Sequence, residues 1–388
     1  MLDPSPRASP QFALDEDQIA VRDMARGFAD EVFAPNAVAW DEARHFPVAE
    51  MRKAAALGMG GVYIAEDVGG SGLSRLTATL IFEALATGCP TVAAYISIHN
   101  LVAWMIDAHG SEAQRKQWLP KLCTMELLGS YCLTEPGVGS DAAALATRAV
   151  RDGDIYVING QKQFISGAGV GDLYAVMART GGDGASGIST LIVPGDTPGI
   201  SFGNSERKMG WNAQPTRAMM FENVRVPVAN RLGAEGSGFK IAMAGLDGGR
   251  LNIAACSLGG AQKALEMALA YMKERKAFGK RLDEFQALQF RLADMATALE
   301  ASRALLWQAA AAFDRREPNA TALIAMAKRF VTDSCFDVAN QALQLHGGYG
   351  YLAEFGVEKI VRDLRVHQIL EGTNEIMRLI VARSLVGR

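Results

Sequence analysis

A chain of 388 residues with 49% hydrophobic side chains can bury a large core, and its length implies two or three structural units. Lys+Arg 39 against Asp+Glu 42 leave a net charge of -3, with no dense basic run, which excludes nucleic acid as the main partner. Five scattered cysteines without a CxxC pair fit buried thiols in a reducing compartment, and no segment is apolar for long enough to insert in a membrane.

The opening MLDPSPRASPQ is polar and proline-rich and lacks the apolar stretch of a secretory signal, so residues 1–14 read as a flexible tail of a soluble intracellular protein. Ala20, Met24, Phe28 and Val32 then recur every fourth residue, with Asp15 and Gln18 placed to cap the start and Pro35 to end the run. Further helices fit residues 76–88, the apolar run 91–109 closed by Gly110, and a segment opened by a Ser111/Gln114 capping box. These make residues 15–128 a helical N-terminal domain.

The texture changes at Gly129. Short β-rich runs follow, with DIYVI and QKQFI on either side of Asn159-Gly160, a hairpin signal. Residues 129–237 therefore read as a β domain. From Gly238 long helical periods return, through Ala261, Leu265, Ala268 and Met272, then Leu288, Leu292, Met295, Leu299 and Leu306. Residues 238–388 read as an antiparallel helical bundle, and βαβ alternation is absent.

The first chemical candidate is YCLTEPGVGSDA, Tyr131–Ala142. Gly137, Gly139 and Ala142 match a GxGxxG/A dinucleotide fingerprint, so a nicotinamide enzyme has to be weighed. Pro136 in the turn, the poor amphipathicity of AAALATRAV and the β-rich run after it oppose that reading. Taken alone, Thr134 and Ser140 fit ordinary turn chemistry, and Glu371 in ILEGT fits a solvated loop carboxylate. The five histidines show no HExxH or Cys/His ligand spacing, and no metal site is expected.

Together, however, YCLTEPGVGSDA, KQFISGAG, ERKAFG, LQLHGGYGY and ILEGTNEIMR resemble the signature segments of the acyl-CoA dehydrogenases, in the family's order, from about Asp17 to the C-terminus. GLSRL, IFEALATGC, AYISIHN, QPTRA and RVHQILEG resemble the members that act on isobutyryl-CoA. The resemblance implies an α+β multidomain fold: a helical N-terminal domain, a central β barrel and a C-terminal four-helix bundle. It implies a homotetramer, a dimer of dimers, holding FAD between subunits, in the cytoplasm of a bacterium or the mitochondrial matrix of a eukaryote.

The resemblance also assigns roles. Tyr131, Leu133, Thr134, Gly139 and Ser140 would line the flavin loop, and Phe164, Ile165 and Ser166 would cover the ring. Arg275 and Phe278 would reach the pyrophosphate, and Phe285 and Gln286 would make further FAD contacts. Gln344, Leu345, His346, Gly347 and Gly348 would approach a neighbouring subunit's FAD, and Thr373, Asn374 and Glu375 complete the cofactor contacts. Ser140, Asp247, Gly248, Gly249, Arg250 and Arg383 would meet the acyl-CoA.

Glu371 would be the catalytic base for α,β-desaturation, with electrons passed to an electron-transfer flavoprotein. Some relatives carry the base just before the arginine matching Arg250, where this chain has Gly249. Val138, Ala277 and Arg281 depart from the family pattern near the cofactor. Leu370, where straight-chain relatives often have tyrosine, implies a short branched substrate, isobutyryl-CoA converted to methacrylyl-CoA in valine degradation. 2-Methylbutyryl-CoA or butyryl-CoA dehydrogenation, and a non-catalytic FAD-binding relative, are the alternatives.

Overall fold

The computed structural model describes residues 14–387; the expected tail lies outside them apart from Leu14. Asp15 and Gln18 close the expected capping box, and α1 runs Glu16–Phe28 before a wider π turn over Ala29–Phe33. Two short helices, α2 (Ala37–Ala43) and α3 (Val48–Ala56), lead to α4 (Arg75–Gly88), α5 (Pro90–His109) and α6 (Glu112–Cys123). Ser111 and Gln114 form the second expected box. The α5 run is apolar on every side because α4 and α6 pack against it along with elements from both later domains, so it shows no single amphipathic stripe.

The middle domain holds β1 (Gly129–Cys132), β2 (Arg148–Asp152), β3 (Ile155–Ser166), β4 (Leu173–Arg179), β5 (Ile188–Pro194), β6 (Ile200–Phe202), β7 (Thr216–Pro227) and β8 (Arg231–Leu232). They form one mixed sheet in the order β6-β7-β3-β2-β4-β5-β8, with β1 added parallel to β4. The sheet has its own core around Tyr156, Tyr174 and Phe221. It is not the closed barrel expected: the three-residue β6 and two-residue β8 stay unpaired with each other, leaving open edges.

The Asn159-Gly160 hairpin is also corrected. These residues lie inside one continuous strand, β3, at a register shift against β7, and the turn between β2 and β3 falls at Gly153, φ 61°. Glycine is needed at 160 for a close approach rather than a turn, since a β-carbon there would lie 2.6 Å from Thr147 Oγ1.

The third domain is built on α7 (Gly238–Glu274), α8 (Gln286–Asp314) and α9 (Ala320–His346). A small hairpin, β9 (Lys276–Ala277) with β10 (Lys280–Arg281), joins the first two. The expected four-helix bundle has three long helices, its remaining side filled by the short α10 (Val357–Arg365) and α11 (Asn374–Val386) against α9. α7 also packs on α4 and α5, so the first and third domains share one apolar core. No helix among the described residues is long and apolar enough to cross a membrane.

Candidate active site

The turn before α11 sets the site. Thr373 caps that helix, accepting from the Ile376 amide, and the chain enters it through two left-handed residues, Glu371 at φ 55° and Gly372 at φ 91°. Such a conformation costs a non-glycine residue on the order of 1–3 kcal/mol, so the surroundings must hold it. Arg250 Nε donates to the Glu371 carbonyl at 3.1 Å, and Lys328 Nζ donates to the next carbonyl, Gly372, at 2.8 Å. Arg250 is itself oriented by Asp247 at 2.7 Å, and Asp247 accepts from Thr321 at 2.7 Å.

The Glu371 carboxylate points at α7, into the space left by Gly249, where a β-carbon would lie 2.3 Å from Oε2. Oε2 is enclosed and has no hydrogen-bond partner. Burial pushes this carboxyl up to about 7, against the opposing pull of Arg250 and Lys328. Tyr131 lies close enough for its hydroxyl to be pushed upward by burial and then by the Glu371 charge; it donates to the Ala242 carbonyl at 3.4 Å. The Glu371 amide makes no hydrogen bond among the described residues. A near-neutral carboxylate beside a free amide donor suits removal of a proton next to a carbonyl.

A second group forms where β1 leaves the sheet. Gln163 N donates to the Thr134 carbonyl at 2.9 Å, bringing the Tyr131–Ala142 segment beside the end of β3. Lys162, fully buried, donates to Leu133 O at 3.0 Å and pairs with Glu135 at 2.8 Å, while Glu135 accepts from the Ala146 and Thr147 amides. Leu133 and Ile165 are buried, whereas Phe164 is 63% exposed with φ 59°. Ser166 Oγ accepts from Gln214 Nε2 at 3.4 Å, and Gln214 Oε1 is enclosed without a partner. Gly139 and Ser140 sit exposed on the loop.

The third group lies elsewhere. Arg275 caps α7 and places its guanidinium 5.5 Å over Tyr349, lining a cleft of about 510 Å³ together with Gln344, Leu345, His346, Gly347 and Gly348. His346 Nδ1 donates to the Ala342 carbonyl at 2.8 Å. Phe278, 94% exposed with φ 51°, sits at the hairpin tip with its ring 6.5 Å from Phe285, and Gln286 opens α8 beside them. Along α7, about 39 Å of continuous helix separates Gly249 from Arg275, so one chain does not bring this group to Glu371. Arg383 is exposed on α11.

Among the described residues, three of the eight non-glycine residues with positive φ are Phe164, Phe278 and Glu371, all singled out from the sequence. Lys328 was missed. Its signal was a lone lysine on the apolar stripe Ile324, Val331, Cys335 of α9.

Family models match in three consecutive stretches: the acyl-CoA dehydrogenase N-terminal domain over residues 15–126, the middle domain over 130–224 and the C-terminal domain over 236–386. The chain belongs to the acyl-CoA dehydrogenase family. As an acyl-CoA dehydrogenase it is an oxidoreductase with FAD as cofactor. The mitochondrial isobutyryl-CoA dehydrogenase of Bos taurus is 56% identical over 377 residues, 97% of this chain and 91% of the relative. Butyryl-CoA dehydrogenase from Megasphaera elsdenii is 38% identical, with a TM-score of 0.94 over 97% of this chain and 99% of that one. PigA, solved with FAD and proline, is 28% identical, with a TM-score of 0.93 over 97% and 99%. This acyl-CoA dehydrogenase has features that fit a flavin: the enclosed, unpartnered Gln214 Oε1 beside Ser166, the exposed left-handed Phe164, and a guanidinium-lined cleft at Arg275.

Proposed function

We propose that the chain desaturates a short branched acyl-CoA, isobutyryl-CoA to methacrylyl-CoA, as a step of valine degradation, with Glu371 as the base. The observation that carries this is the half-buried Glu371 carboxylate, its Oε2 enclosed against Gly249 and its pKa pushed up to about 7. The 56% identity to an isobutyryl-CoA dehydrogenase supports the acyl preference. So does Leu370, a partly buried apolar side chain directly before the base.

In this reading Glu371 takes the α-proton while the free Glu371 amide donates to the thioester oxygen, which acidifies that proton. Bound FAD would supply the two-electron acceptor that the departing β-hydride requires. Arg250 and Asp247 hold the turn and border the CoA arm, with Ser140 and Arg383 as further contacts, while Gly249 leaves room for the Glu371 carboxylate and Gly248 for the Arg75 guanidinium beside it. Bound acyl-CoA would cover the half-buried carboxylate and keep water from competing for the proton.

Tyr131, Leu133, Thr134, Gly139, Phe164, Ile165 and Ser166 line the flavin, with Thr373, Asn374 and Glu375 beyond the base. Arg275, Phe278, Phe285, Gln286 and Gln344–Gly348 serve FAD across subunit boundaries, because about 39 Å of α7 is too long for one dinucleotide to bridge. That separation calls for a second subunit, within the homotetramer proposed here. Electrons then pass to an electron-transfer flavoprotein. The test is the ratio of specificity constants: isobutyryl-CoA is expected to exceed butyryl-CoA and 2-methylbutyryl-CoA, and a higher value for either rival overturns the acyl assignment.

A further inference from the structure

Lys328 is a buried ammonium in the middle of α9, 0% exposed. Its partners are both neutral: the Gly372 carbonyl at 2.8 Å and Asn374 Oδ1 at 2.9 Å. Burying a cation without a hydrogen-bonded carboxylate is costly, so the position needs a compensating charge nearby. The turn it grips is the one that carries Glu371.

Each of the two left-handed residues is held by its own cation from its own helix, Glu371 O by Arg250 of α7 and Gly372 O by Lys328 of α9. Asn374 extends the grip, donating to Asp333 Oδ1 at 2.6 Å and Thr332 Oγ1 at 3.0 Å, while Thr332 Oγ1 donates back to the Lys328 carbonyl at 2.8 Å. The arrangement fixes the turn on both sides of the base yet leaves the carboxylate's Oε2 unpartnered.

We propose that Lys328 is a positioning residue for the base: it holds the 371–374 turn through Gly372 and Asn374, and its charge keeps Glu371 ionised and ready to accept a proton. The inference rests on Glu371 being the base. Burial lowers the lysine to about 8, opposed by Glu371, so around neutral pH the ammonium stays charged beside a carboxyl that burial holds near 7. Glu371 also faces Arg250 and Cys256 on α7, Tyr131 on β1 and the Tyr63 hydroxyl; Lys328 also faces Arg250, Asp333, Glu375 and His367. Of the cations in this set, only Arg250 and Lys328 act on the Glu371 carboxyl.

The test compares full-length, FAD-loaded Lys328→Gln, Lys328→Met and Lys328→Arg with wild type, reading the pH dependence of flavin reduction by isobutyryl-CoA without oxygen. Gln keeps a donor for Gly372 and loses the charge, Met loses both, and Arg keeps the charge. The acid-side midpoint is expected to move up by about one pH unit in Gln and Met and to stay within about 0.3 in Arg. The rate near pH 7 should fall by about fivefold in Gln and recover at alkaline pH. If Met does not fold, the Gln and Arg pair decides the matter alone. A uniform loss of rate with an unmoved midpoint in Gln overturns the proposal. Absence of flavin reduction in the wild type would instead overturn the function on which it rests.

Discussion

Glu371 and Gly249 share one volume: the carboxylate occupies the space that any side chain on residue 249 would need, a β-carbon there lying 2.3 Å from Oε2. The residues are far apart in the chain, and α7 delivers one to the other because it passes directly under the turn before α11. The Gly249 backbone belongs to α7 and cannot yield without disturbing that helix's packing, so the carboxylate has to move instead.

Gly249→Ala is therefore expected to fold, with a melting temperature close to wild type, and to reduce its flavin with substrate about 100-fold more slowly, since misplacing a catalytic group by about 1 Å costs that much. Stopped-flow reduction measures it. A rate within threefold of wild type would show that the contact does not constrain the base.

The carboxyl at about 7 gives a signed pH prediction. Flavin reduction should decline as pH falls through about 7, because a protonated Glu371 cannot accept the α-proton. For stability, a folded pKa raised above 4.5 contributes fully below about 4.5 and is lost as pH rises through about 7. Glu371→Gln is then expected to be more stable than wild type at pH 8, by at most about 3 kcal/mol, and equal to it near pH 4. Denaturant midpoints at the two pH values decide this, and a Gln variant less stable at pH 8 would contradict it.

The Lys162–Glu135 pair is buried on both sides and ties the Leu133–Thr147 loop to β3. Lys162→Met leaves a buried carboxylate without its cation, which costs about 3–5 kcal/mol. Lys162→Met with Glu135→Gln should recover part of that loss. Urea unfolding of the single and double variants checks it; equal destabilisation in both would assign the loss to packing.

Local signals carried most of what the sequence revealed. Asp15/Gln18 and Ser111/Gln114 fixed two helix starts because a capping box is decided within four residues. The long period of α7 to α9 survived because each helix has room to repeat it. Asn159-Gly160 misled because the same dipeptide serves a turn or a bulge, and only the distant Thr147 backbone decides which. Closure of the sheet depends on whether β6 meets β8, which no local pattern encodes.

The candidate site was legible unevenly. Glu371 stood out through the family resemblance, not its own string, and its meeting with Gly249 became visible only in three dimensions. In the sequence Lys328 is a lone charge on an apolar stripe, and a buried lysine and a surface one look alike until the helix packing is known.

The role proposed for Glu371 is to remove the α-proton so that the flavin can be reduced. Purified, FAD-loaded wild type and Glu371→Gln, each mixed with isobutyryl-CoA in the absence of oxygen and followed by flavin absorbance, test it most directly. The wild type should bleach rapidly and the variant at least about 10³-fold more slowly while still binding substrate. Persistent oxidised flavin in the wild type, or comparable bleaching in the variant, would contradict the account.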